Sequence, residues 1–230
     1  MIDSYHIPGL LPYTAPGYDS TLYVRPAGAA YGTGSGDSYE NALAGFASIV
    51  WGSVAAGTRI LICDTHNESL IVGASGTEAK PIIIQAQEPG VSGIVDSQNT
   101  RNVGVQVSSK NYIHVDGITS KNAVVSCFET SGTSTGIVYN NCKGQSSGNQ
   151  AWQSLNTASA TYYGIEGTDC TDDGFSMHGN ARATIHGGVF LRNAEGINII
   201  SASQLVGYNV VSEDNTLYGL YITQPSGVLS

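Results

Sequence analysis

One short unit returns along this chain at a nearly constant interval, and it limits the fold more than any other feature. The unit is a small residue, an apolar one, a polar one and usually a second apolar one. It reads Gly104-Val105-Gln106-Val107, Cys127-Phe128-Glu129-Thr130, Ala151-Trp152-Gln153-Ser154, Gly174-Phe175-Ser176-Met177, Gly196-Ile197-Asn198-Ile199 and Gly219-Leu220-Tyr221-Ile222, in steps of 23, 24, 23, 22 and 23 residues. Such self-similarity marks architectures in which each repeat buries its apolar face against the next. Alternation within the unit has the two-residue period of a strand. Leucine-rich repeats share the length, but their Leu and Asn consensus is missing here.

The reading is therefore all-β: a parallel β-solenoid whose coils lie about 4.8 Å apart, so that equivalent side chains stack in columns. Val105, Phe128, Trp152, Phe175, Ile197 and Leu220 form the inward column, and all six are apolar. Gln106, Glu129, Gln153, Ser176, Asn198 and Tyr221 form the outward one. A second column keeps the beat at Ile118, Cys142, Thr168, Val189 and Val210, and four residues beyond each stand Asn122, Ser146, Asp172, Asn193 and Asp214. These are turn formers, so each coil holds at least two strands around a polar turn.

The first hundred residues read as an entry module. Tyr23-Val24-Arg25 is strand-like, and Asp37 with Glu40 fits a capping box. Ala42, Leu43, Phe46, Ala47 and Val50 then share a helical face, which predicts a short capping α-helix over about 38–50. Such a helix would cover the apolar end of the first coil. Strands follow at Ile60–Cys63, Leu70–Val72 and Ile82–Gln85. Residues 1–20 carry three prolines and two glycines and read as an extended arm or linker, leaving 21–230 for the β-helix.

Composition removes several function classes. Nine basic against eighteen acidic residues leave a net charge of −9, which argues against nucleic acid as a partner. No apolar run approaches the roughly 18 residues of a membrane span. The start, Met1 to Gly9, lacks the basic and apolar regions of a secretory signal. Cys63, Cys127, Cys142 and Cys170 include no C-x-x-C pair and read as buried free thiols.

Tyr23-Val24-Arg25-Pro26-Ala27-Gly28, the Gly/Ser loop 32–36, Gly57-Thr58-Arg59-Ile60-Leu61-Ile62, Gly76-Thr77 to Pro81-Ile82-Ile83-Ile84 and the coils resemble the right-handed parallel β-helix superfamily typified by pectate lyases. The resemblance covers roughly residues 20–225 and is closest in character to phage tailspike and tail proteins. It implies a protein that binds, and in many members cleaves, a polysaccharide along the outer face of one sheet. For the tailspike-like members it also implies a homotrimer and a virion or extracellular location. The Arg-x-x-Pro-x-x-Arg element of pectate lyases and the Gly-His-Gly and Arg-x-Lys elements of polygalacturonases are absent. A fold of this kind hosts many functions.

The candidate chemistry concentrates between Asp169 and Asn180. Asp173 precedes Gly174 as Glu195 precedes Gly196, so the repeat places these carboxylates one coil apart. Like charges at that spacing repel and raise a pKa, as acid–base catalysis of glycoside cleavage requires. Asp173, Glu195 and the outward His178 are the candidate catalytic residues. Glu129, Gln153, Ser176, Asn198 and Tyr221 are candidate sugar contacts, beside a trough formed by the small column Gly104, Cys127, Ala151, Gly174, Gly196 and Gly219. In a lyase, Asp169 and Asp172 would hold calcium against a uronate carboxylate, with Arg182 or Arg192 as substrate contact or base. Otherwise no cofactor is expected. Asp172 is equally a member of the turn column.

Two functions fit: a tailspike-like depolymerase, hydrolase or lyase, and a non-catalytic structural or adhesive component of a tail or surface assembly. After the rung Gly219–Ile222 no covering helix is evident, so the reading expects either a longer parent chain or burial of that end in an oligomer.

Overall fold

The computed structural model describes residues 13–87 and 93–223. The chain winds as a parallel β-solenoid of about 8 turns, and every strand pairing in it is parallel. Three ladders run along the axis. The first contains Ser20–Arg25, Thr58–Ile62, Ile82–Ala86, Ile113–Asp116, Ile137–Asn140 and the leading halves of Ser159–Thr168, Arg182–Leu191 and Gln204–Glu213. The second contains Thr65–His66, Ile94–Asp96, Thr119–Lys121, Lys143–Gln145 and the trailing halves of the same three long strands. The third contains Leu70–Ile71, Val103–Ser108, Ser126–Ser131, Gln150–Ser154, Asp173–Met177, Glu195–Ile200 and Tyr218–Thr223.

The expected inward column is the register of the third ladder. Leu70 pairs with Val105, and Phe128, Trp152, Phe175, Ile197 and Leu220 follow in order. Phe128 and Trp152 stack at 4.1 Å, and Tyr139 and Tyr162 of the first ladder stack opposite them at 5.2 Å. Where polar atoms enter this core they meet one another. Tyr139 pairs its hydroxyl with Thr130, Tyr162 pairs with Ser154, and the Trp152 indole donates to the Glu166 carbonyl at 2.8 Å. Unpaired, each would cost a desolvation penalty of about 1–3 kcal/mol. All four cysteines are buried and free, as expected.

Two kinds of corner close each coil. Between the first and second ladders one residue per coil is left-handed: Gly117, Asn141, Gly164, Gly187 and Asn209. Between the second and third the left-handed residues are Asn122, Ser146, Asp169, Arg192 and Asp214. Here the sequence reading slips. The register aligns Thr119, Lys143, Glu166, Val189 and Val211, which puts Ile165 and Gly188 where Thr168 and Val189 were expected. Asp169 and Arg192, not Asp172 and Asn193, therefore occupy the left-handed turn. Asn193 instead locks the corner from inside, its amide donating to Gly167 O and accepting from Cys170 N, both at 3.0 Å.

The capping α-helix is absent. Asn41 donates to both Asp37 and Ser38, so Asp37 makes no helix cap. Leu43–Ala44 pairs as a strand with Val24 and Arg25, and Gly45 at φ 80° turns the chain out of any helix. Single 3-10 turns follow at Phe46–Ser48 and Trp51–Ser53. Strand pairing to an open edge thus outweighs the helical pattern. The segment still covers the first coil: Phe46 and Ile49 join the core, and Phe46 stacks on His66 at 4.1 Å. Of the expected arm, residues 1–12 lie outside the described residues. Tyr13 rests on the outside of the first ladder, its hydroxyl 3.1 Å from His114 Nδ1.

Candidate acid site on the third ladder

In the third-ladder strands from Val103–Ser108 to Glu195–Ile200 one residue leads, and the small residue and the apolar one after it are both buried. The small column is the first of each such pair. Cys127 and Ala151 are fully buried, and a Cβ on Gly104 would run into Ser120 and Cys127. A Cβ on Gly174 would lie 2.6 Å from the Gly196 carbonyl. The small residues therefore let the second and third ladders meet at an inner corner. They form no outer trough, which corrects the expectation.

The leading position of each strand makes a polar column of its own. Val103 pairs with Ser126, Ser126 with Gln150, Asp173 with Glu195, and Glu195 with Tyr218. Gln150 and Asp173 are joined in the same register through Trp152 and Phe175, two residues on. Asp173 and Glu195 thus stand one coil apart, as the repeat implied. Asp173 is 1% exposed. The two carboxyls are neighbours across consecutive coils, and Asp173 takes hydrogen bonds from the Asn198 amide, 3.4 Å from each of its oxygens.

Both carboxyls hold their protons more tightly than usual. Burial is the main cause for Asp173, followed by the charge of Asp172, and hydrogen bonds only partly offset them. Burial also leads for Glu195, followed by the charges of Asp173 and Asp172. Neighbouring carboxyls, one of them buried, release their second proton only at higher pH than two isolated acids do. His178 joins the group through Ser176, whose Oγ lies 2.9 Å from His178 Nε2.

The other sequence candidates fall into two sets. Glu129, Gln153, Ser176, Asn198 and Tyr221 do line one outward column in register. Within it, Glu129 accepts from Gln106 at 2.8 Å and from Ser131 at 2.9 Å, and Ser176 is fully buried beneath His178. Tyr221 is exposed and stacks on Tyr218 at 5.3 Å. Arg182, Arg192 and Asp169 stand apart. Arg182 opens a first-ladder strand between Ser159 and Gln204. Arg192 grips both oxygens of Asp169, at 2.6 and 2.8 Å, across the corner turns. Asp172 accepts from Gln150 at 3.4 Å. Among the described residues no group of three Asp, Glu, His or Cys side chains is arranged to hold a metal.

Gln150 and Ser126 escaped the sequence reading, although a signal was present. Each immediately precedes the small residue of its rung, as Asp173 and Glu195 do.

No family model and no curated protein matches the sequence. Two solved structures share its fold. One is the pectate lyase Pel9A, at 15% identity and TM-score 0.69, over 88% of this chain and 56% of that one. The other is a rhamnogalacturonan lyase, at 15% identity and TM-score 0.62, over 90% of this chain and 62% of that one. The chain thus has a pectate-lyase-like parallel β-helix fold and spans about three fifths of the length of these two structures.

Proposed function

We propose that this chain is a polysaccharide-active β-solenoid that seats a glycan on the outer face of the third ladder and cleaves it beside Glu195. The observation that carries this reading is the in-register carboxyl pair Asp173–Glu195, with Ser176 and its hydrogen-bonded partner His178 on the same strand and the turn after it. The names of the two fold neighbours, a pectate lyase and a rhamnogalacturonan lyase, agree with it. Glu195 is the more accessible acid and gives its proton to the glycosidic oxygen. Asp173 is a positioning residue whose charge keeps that proton on Glu195 at higher pH. His178, hydrogen-bonded to Ser176 on the same strand face, serves as base.

A reducing-end assay on a panel of surface and plant polysaccharides tests the proposal. Wild type releases new ends, and Glu195→Gln loses at least about a hundredfold, the usual scale of a general acid. Equal rates in both would end it.

A non-catalytic adhesive or structural role, in a virion or extracellular assembly, draws on a different observation. In the outward column Glu129 is engaged by Gln106 and Ser131, and Ser176 is fully buried. Such an assembly would be a homotrimer, as in tailspike-like proteins. Light scattering reads the assembly state, and a folded chain that cleaves nothing on the panel favours this role.

A further inference from the structure

The polar atoms left without partners in the acid site share one property. Among the described residues Gln150 Oε1, Glu195 Oε2 and Asn198 Oδ1 are buried with no hydrogen-bond partner, and so is Ser126 Oγ of the same column. The first three are acceptors. The amide orientations are settled by their neighbours, because Gln150 Nε2 faces an Asp172 oxygen and Asn198 Nδ2 faces both Asp173 oxygens. Turning either amide would set oxygen against carboxylate. Gln150 itself is 6% exposed and Ser126 is fully buried, so bulk water does not serve them. Buried polar atoms are normally paired, and each exception calls for a cause, a catalytic role or a bound species among them.

Charge points the same way. No Lys or Arg lies on any third-ladder strand. Five of the nine basic side chains are spent on carboxylates elsewhere: Arg25 on Asp64, Lys80 on Asp19, Lys121 on Asp96, Lys143 on Glu166 and Arg192 on Asp169. A carboxylate-bearing sugar would bring further acceptors and like charge to a face that already holds Asp172, Asp173 and Glu195.

We infer that this site takes a glycan rich in hydrogen-bond donors and free of carboxylates, built of neutral hexose or hexosamine units, and that its cleavage is hydrolytic. The inference rests on the glycan-site reading above and narrows it. Elimination needs a proton made acidic by an adjacent uronate carboxylate, and such sugars have none. In hydrolysis the glycosidic C–O bond breaks as a water oxygen bonds to the anomeric carbon. Glu195 supplies the leaving oxygen with a proton, and one water proton returns to the site, so atoms and charge balance. Sugar hydroxyls and amine or amide N–H groups would satisfy Gln150, Glu195 and Asn198 together.

Calorimetric titration of the whole chain compares neutral oligosaccharides, chitin- and chitosan-derived oligosaccharides, and oligogalacturonates, each with calcium and with a chelator. The expected result is at least tenfold tighter binding of a neutral or hexosamine series, indifferent to calcium. Preference between those two series identifies the donor. Gln150→Leu weakens this binding about tenfold, the scale of one buried hydrogen bond. Ser126→Ala, a smaller change, repeats the test if Gln150→Leu fails to fold. If oligogalacturonates bind best and Gln150→Leu weakens them, the glycan site stands and this inference falls. Neutral binding untouched by both variants also overturns it, because the sugar then lies elsewhere. Binding of none of the three overturns both readings.

Discussion

Asp173 and Glu195 sit opposite one another on consecutive coils, although both are acids and Asp173 is 1% exposed. A folded protein that holds two acids this way trades stability for proton affinity. The measurable consequences follow from that trade.

Stability should depend on pH with a definite sign. Both carboxyls bind protons more tightly folded than unfolded, where their ordinary values are 3.8 and 4.5. Their contribution is thus fully present below those values and is lost as pH rises through the raised ones. Melting measured from about pH 4 to about pH 8 should show this loss, and Asp173→Asn should flatten it. At neutral pH that variant should gain of order 1 kcal/mol, about 2–4 °C in a chain of this size. A variant that melts lower than wild type at neutral pH would mean that the pair is not strained.

The same substitution should reshape catalysis. With Asp173 neutral, Glu195 loses a like charge and releases its proton at lower pH. The alkaline limb of the cleavage profile should therefore move to lower pH in Asp173→Asn. An unmoved limb assigns the acid to another group.

Trp152 lies mid-column, stacked on Phe128 and hydrogen-bonded to the Glu166 carbonyl. Trp152→Ala should cost about 3–5 kcal/mol in urea unfolding, through the cavity and the orphaned carbonyl. Trp152→Phe keeps the stack and loses the hydrogen bond, so it should cost about 1–2 kcal/mol. Equal costs would mean that the indole nitrogen carries no weight.

Arg192 should prove structural. It is exposed and paired with Asp169 at the corner between the second and third ladders. Arg192→Ala should leave the melting temperature nearly unchanged, because exposed ion pairs contribute little. Cleavage should stay within twofold of wild type. A large loss of cleavage with intact melting would restore it to the site.

How far the site could be read beforehand depended on which strand carried each residue. The third-ladder repeat is nearly regular, so the pairing of Asp173 with Glu195 and the outward row from Glu129 to Tyr221 were open to direct counting. The second ladder is interrupted by corners of varying length, and there counting assigned Asp172 and Asn193 to a turn held by Asp169 and Arg192. The trough failed for another reason. A column of small residues reads the same whether it lines an outer groove or an inner corner, and only the contacts at Gly104, Ala151 and Gly174 distinguish the two. The capping helix failed because an amphipathic pattern cannot register a competing strand edge, here that of Ser20–Arg25.

Periodicity alone determined that this chain is a solenoid, which six side chains stack at its centre, and that two acids meet one coil apart. These follow because a fixed repeat and a two-residue alternation leave a stacked strand one consistent register. What the tertiary structure decided is everything set by the depth and direction of side chains. It buried Ser126 and Gln150 in the same column as the acids, removed Arg192 to a corner, and left three buried acceptors around the acids without partners. Burial and orientation arise between coils, and no count along a single strand contains them.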